Sequence, residues 1–331
     1  MMFPNGPLRL SNPDDGTRPP GRPRRLVFAG EAIVDVVMRV PGLPPRGGDL
    51  LATSAEVAVG GGFNVMAAAA RQGMPVLYAG GHGTGPWGDL VRAALAAEGI
   101  GLLRPPEPSR DTGFDVALVE PDAERTFVTS LGAESSAEPG RWATAPAGPG
   151  DAVYVSGYGL VAPGSGPDLA AWAAALPPAV LLFIDPGPLA AQIPPDQLDP
   201  VLARCDWLSC NAREAALLTG ATTPEQATRC LLTRTARANV IVRLGPDGCL
   251  LAPRPPAAPA PVRIPAPAVH PVDTTGAGDT HAGVFLAALA DGLPPADAAR
   301  RANAAAALAV TRPGPATSPN RAELDAWLAR R

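Results

Sequence analysis

Short apolar runs alternate with longer segments along most of this chain, and the spacing of apolar positions separates strand from helix. LVFAG (26–30) reads as a first central strand, apolar throughout as a strand buried on both faces requires. VLYAG (76–80), AVYVS (152–156), VLLFID (180–185), WLSC (207–210) and VIVRL (240–244) read as further buried strands. Between them NVMAAAARQG (64–73), GDLVRAALAAEG (88–99), LAAWAAAL (169–176) and NAREAALLTG (211–220) have helical length and close on glycine or proline. This alternation predicts an α/β fold, a central mostly parallel sheet with helices on both faces.

Two pairs of segments break the rhythm: IVDVVM with EVAV, and DVALVE with RTFVTS. They read as hairpin or ribbon strands, and the α/β pattern resumes after each. We therefore expect a small β-sheet lid, contributed by about 33–59 and 112–131, on a single domain spanning 25–331. Pro/Gly-rich connections read as loops inside that domain. Residues 1–24, rich in Pro, Gly and Arg and without periodicity, read as a disordered tail.

Composition narrows the function. A 46% hydrophobic content supports a large core, and a net charge of −4 with scattered basic residues argues against a nucleic-acid partner. No stretch approaches membrane-span length, so a cytoplasmic protein without a membrane partner is expected. Four cysteines, at 205, 210, 230 and 249, lack zinc-site spacing and read as reduced and mostly buried. The chain contains no lysine: all 27 basic residues are arginine. A P-loop, a protein-kinase strand lysine and Schiff-base chemistry are thereby excluded. Any phosphate must be held by backbone N–H groups, arginine or a metal ion.

DTTGAGDTH (273–281) places Asp279 behind Gly276, Ala277 and Gly278 and ahead of a helical run. Small residues leave the unpaired N–H groups of a helix start open to an anion, although Asp279 read alone is an ordinary N-terminal cap. A formal G-x-G-x-x-G at Gly83, Gly85 and Gly88 contains Pro86, which removes an N–H, and no acidic residue follows at the dinucleotide spacing. It reads as a strand-to-helix turn. VGGGFN (59–64) permits close backbone approach to a small ligand, with Asn64 offering donor and acceptor or else capping a helix. Asp35 is the single charge inside IVDVVM and faces either solvent or ligand hydroxyls.

Taken in order, GEAIVD, the glycines before Asn64, the 81–100 segment, CNARE (210–214), RLGPDG (243–248) and DTTGAGDTHAG resemble the PfkB/ribokinase family of carbohydrate and nucleoside kinases, over nearly the whole chain from residue 25. EPDAERTF and VSGYGL are most similar to a sugar-kinase branch. The resemblance implies a ribokinase-like fold and transfer of phosphate from ATP, with Mg2+ and with K+ as an activating cation. It assigns Asp279 as catalytic base and Gly276, Ala277 and Gly278 as its anion hole. Asp35, Gly60, Gly61 and Asn64 would bind the acceptor. Asn211, Gly245, Gly248 and Asn303 fall on the nucleotide side, with Arg243 placed to reach a phosphate. Glu214 would act on Mg2+ through water, although Asn211 and Glu214 also fit a helix capping box. Asp273 and Ser318 would lie at the monovalent-cation site. A homodimer through the lid sheet is a further implication.

Departures from the family pattern bear on the substrate. Gly61 stands where phosphosugar kinases carry lysine, with Arg46 and Arg71 as candidate substitutes, and DPGPL (185–189) lacks the Asn and Arg of Asp-x-Asn-x-Arg. His281 replaces a frequent phenylalanine and reads as a packing or gating residue. A neutral furanose-like sugar is therefore the expected acceptor. A nucleoside is the alternative within the family, and a non-catalytic sugar- or nucleotide-sensing module is the alternative of another class.

Overall fold

The computed structural model describes residues 22–122, 124–136, 140–235, 237–254 and 260–331. In chain order the elements are β1 (Arg25–Ala29), β2 (Ala32–Arg39), β3 (Ser54–Gly61), α1 (Phe63–Arg71), β4 (Val76–Tyr78), α2 (Pro86–Ala97), β5 (Gly101–Leu102), β6 (Phe114–Val119), β7 (Arg125–Ser130) and β8 (Asp151–Ser156). They continue with α3 (Gly157–Val161), α4 (Gly166–Ala175), β9 (Leu181–Asp185), α5 (Pro195–Arg204), β10 (Trp207–Asn211), α6 (Ala212–Thr219) and α7 (Pro224–Thr235). The rest are β11 (Asn239–Arg243), β12 (Cys249–Ala252), β13 (Val262–Ile264), α8 (Ala277–Ala290), α9 (Pro295–Ala309) and α10 (Arg321–Leu328).

The main sheet runs β13-β12-β11-β10-β9-β8-β1-β4-β5. From β11 to β5 every neighbouring pair is parallel, and only β12 and β13 at one edge are antiparallel. The period of two along each strand feeds two cores. Leu26, Phe28, Tyr154, Phe183 and Trp207 face one, with α1, α8 and α9. Val27, Ala29, Val153, Val155, Leu182 and Ile184 face the other, with α4, α5 and α7. The chain leaves β1 toward β4 on one side and returns through β8 on the other, so the direction of winding reverses between β1 and β8. Crevices at the carboxyl ends of strands beside such a reversal are where open α/β sheets bind ligands.

Helix α8 is apolar on nearly all sides and buries ten residues, as a helix between core layers must. Its Gly283 leaves no room for a Cβ against α1, where Ala68 Cβ would lie 2.7 Å away. That close approach brings the start of α8 beside Asn64.

The small sheet has the order β3-β2-β6-β7, formed from the segments expected for it. The two hairpins are antiparallel, while β2 and β6 join them in parallel, Asp35 opposite Asp115. The sequence pattern did not reveal that parallel seam, nor the two-residue β5. Cys205, Cys210 and Cys249 are buried, Cys230 is exposed, and all are free thiols. No helix among the described residues is long and apolar enough to cross a membrane. Of the expected tail, residues 1–21 lie outside the described residues, and Arg24 is tied through its backbone N–H to Gly150.

Candidate active site

Gly276 sits at φ 71°, in the left-handed region that β-carbons disfavour, and this turn opens α8 without any side-chain cap. The N–H of Ala277 makes a long turn bond of 3.3 Å to Thr274, whereas those of Gly276, Gly278 and Asp279 donate to nothing in the described chain. Three donors at the positive end of a 14-residue helix are thus left open. Asp279, in the first turn, does not cap the helix. Its Oδ2 instead accepts a 3.1 Å hydrogen bond from Asn64 Nδ2. Burial pushes its carboxyl up to about 6, with the Asn64 bond opposing, Asp185 adding and Arg243 opposing. It is therefore ionised at neutral pH yet basic enough to take a proton.

Asp35, on β2, faces this centre and not solvent. It is 8% exposed, and burial together with Asp115 and Asp279 raises its carboxyl to about 7. The side chain lies over Gly60, whose added Cβ would come 2.5 Å from Asp35 Cγ, so glycine there is a steric requirement. Asn64 is buried and its Oδ1 has no partner. Gly61, beside Gly60 at φ 61°, carries no charge into the pocket. Arg71 is no substitute for a lysine at that position, since it is held by Glu98 at 2.6 Å and by the Ser318 carbonyl at 2.9 Å. Arg46 is exposed.

On the other side of α8, Asn211 caps α6 in a full capping box with Glu214, the alternative reading of the N-x-x-E spacing. Glu214 is buried, and desolvation with the Asp185 charge raises its carboxyl against the pull of Arg243. Arg243 lies beneath Gly278, bonded to Asp185 at 2.8 Å and to Ser209 at 2.6 Å, and 3.5 Å from Glu214. Sequence reasoning expected Arg243 to face a phosphate but missed both carboxylates that hold it. A cavity of about 440 Å³ joins Asn211, Arg243, Gly245 and Asp247. Asn303 is buried, donating to the Ile264 carbonyl at 2.9 Å, beside the Gly248 turn, and does not line that cavity.

Asp273 is fully engaged. Its Oδ1 takes Arg125 of β7 and both Thr275 donors, and its Oδ2 takes the Gly314 N–H. Burial works against ionisation here, but the Thr275 bonds and the Arg125 charge outweigh it and hold the carboxyl below its usual value. Ser318 Oγ is buried without a partner. With Arg125 already supplying the positive charge, this donor set does not fit a K+ ion at Asp273. His281 is buried, and burial, with the Arg243 charge adding and Asn303 opposing, lowers its pKa to about 3. It stacks on Phe285 as a neutral packing residue.

The molecule so described is an α/β protein with an uncapped helix start that carries a half-buried carboxylate, an arrangement suited to transferring an anionic group to a hydroxyl. The model of the pfkB family of carbohydrate kinases matches residues 23–323, and the chain belongs to that family of phosphotransferases. It is 36% identical over 308 residues to YegV, an uncharacterised sugar kinase of Escherichia coli strain K12, covering 90% of this chain and 92% of that one. Among solved structures, the ribokinase of Thermotoga maritima is 26% identical with a TM-score of 0.78, over 92% of this chain and 99% of that one. Arabidopsis thaliana ribokinase, crystallised with ribose and ATP, shares the fold at 24% identity and a TM-score of 0.72, over 92% and 99%. ATP and Mg2+ are bound together in an Escherichia coli neighbour of ribokinase II type, at 23% identity and a TM-score of 0.74, over 93% and 99%. The chain is thus a ribokinase-like sugar or nucleoside kinase.

Proposed function

We propose that this kinase phosphorylates a hydroxyl of a neutral, furanose-like sugar, with Asp279 as the base. The observation that carries the reading is the half-buried Asp279 carboxylate, held by Asn64 beside three undonated N–H groups and facing Asp35 across the pocket. Asp279 takes the proton as the acceptor oxygen forms its bond to the γ-phosphorus, the bond to the β-phosphate oxygen breaks, and ADP leaves. The N–H groups of Gly276, Gly278 and Asp279 stabilise charge on the transferred group. Glu214, a buried carboxylate at the start of α6 engaged by Asn211 and Arg243, would hold Mg2+ only through water, with the phosphates as the main ligands. Mg2+ would neutralise phosphate charge; no step is assigned to K+.

Among the described residues no cation contacts Gly61, which supports a neutral acceptor. The small sheet would act as the lid that excludes water, and its outer face carries the exposed Val57 and Val128, which suits pairing with a second copy. ADP release over a panel of free sugars, nucleosides and sugar phosphates tests the function, and a thermal shift without turnover would instead mark a sensor. Asp279→Asn is expected to lower turnover about a hundredfold or more with ATP binding retained. Near-normal turnover in that variant refutes the base assignment.

A further inference from the structure

Asp115 shares with Asp35 the property that singled Asp35 out, a lone carboxyl inside an apolar strand. The two are register partners on adjacent parallel strands, so their side chains leave the same face of the lid sheet. Each is 8% exposed. Asp115 Oδ1 is buried with no hydrogen-bond partner among the described residues.

An independent group points into the same space. Asn64, 4% exposed, spends its donor on Asp279 and leaves its acceptor Oδ1 unpartnered. The titratable neighbours are also acidic: Glu31, whose oxygens take the Ser156 hydroxyl at 2.9 and 3.1 Å, and Asp279. Arg243, the cation nearest Asp279, is spent on Asp185 and Glu214. The pocket therefore presents acceptors in excess of donors. A buried acceptor without a donor costs about 1–3 kcal/mol, so such a wall is retained only for a ligand that brings donors.

We propose that Asp115 is a specificity-determining residue, pairing with Asp35 to read two adjacent hydroxyls of an uncharged polyol acceptor and to reject acceptors that lack one of them or carry an anionic group. This rests on the kinase reading above and names the chemistry its acceptor must have. The two carboxyls disfavour simultaneous ionisation: burial raises Asp115 to about 6 and Asp35 to about 7.

The test measures kcat/KM for D-ribose, D-fructose, adenosine and uridine and for their monodeoxy forms, in wild type, Asp115→Ala and Asp115→Asn. Wild type is expected to prefer the parent over one monodeoxy form by about a hundredfold. Asp115→Ala should cut that preference to about tenfold or less, with the KM for ATP unchanged, and Asp115→Asn, which keeps the shape, should retain an intermediate preference. An ATP-induced rise in melting temperature checks that each variant is folded; were Asp115→Ala not to fold, Asp115→Asn alone decides. An active wild type whose preference is unmoved by both substitutions overturns the role of Asp115 and leaves the kinase reading intact. A wild type inactive on every probe overturns the furanose-like acceptor proposed above, and this inference with it.

Discussion

Replacing Asp35 by asparagine should stabilise the protein, and by an amount that grows with pH. Burial, with the neighbouring Asp115 and Asp279 charges, raises the Asp35 carboxyl from 3.8 to about 7. Because the folded value lies above the unfolded one, the group's contribution to stability is whole below about pH 3.8 and is lost as pH rises through 7. Linkage between those two values sets the cost of keeping Asp35 buried at roughly 2 kcal/mol at pH 5 and roughly 4 kcal/mol at pH 8. Asparagine keeps the volume over Gly60 and cannot ionise. The stability difference between variant and wild type should therefore widen by roughly 2–3 kcal/mol between pH 5 and pH 8. Urea unfolding of both proteins at the two pH values measures it, with midpoint and slope read together. Neighbouring carboxyls titrate in both proteins and largely cancel in the difference, apart from Asp115, which should ionise more easily once Asp35 is gone. A gap independent of pH, or a variant less stable at pH 8, would refute the claim that Asp35 is held where its charge is disfavoured. The same variant should raise the acceptor KM at least about tenfold, the trade of stability for function expected when a binding group is buried unsatisfied.

Gly60→Ala places a methyl group against Asp35 Cγ and should raise the acceptor KM by about tenfold with the KM for ATP unchanged; equal effects on both would mean the loop as a whole had moved. Glu214→Gln should raise the Mg2+ concentration for half-maximal rate and cost about 1 kcal/mol through the weakened capping box. An unchanged Mg2+ dependence would leave Glu214 only its structural role.

Local order was legible in the sequence because short-range physics writes it there. The buried strands declared themselves by apolar runs, the start of α8 by its glycines, and the α6 cap by the Asn211–Glu214 spacing. Asp35 stood out as a charge in an apolar strand; Asp115 carried the same signal and was passed over, because nothing local says which face of a ribbon is covered. That was decided by the parallel seam between β2 and β6, a pairing of segments some eighty residues apart with no turn to announce it. Long-range pairing also chose the partners of the arginines. Arg243 is spent on Asp185 and Glu214 rather than left free, and Arg125 crosses from the small sheet to Asp273. The sequence by itself determined the strands, the helices and the presence of a kinase-like loop. Only the tertiary structure decided which carboxyls are buried together and which are neutralised, since charge and burial depend on neighbours through space, and those are fixed when the sheets close over the start of α8.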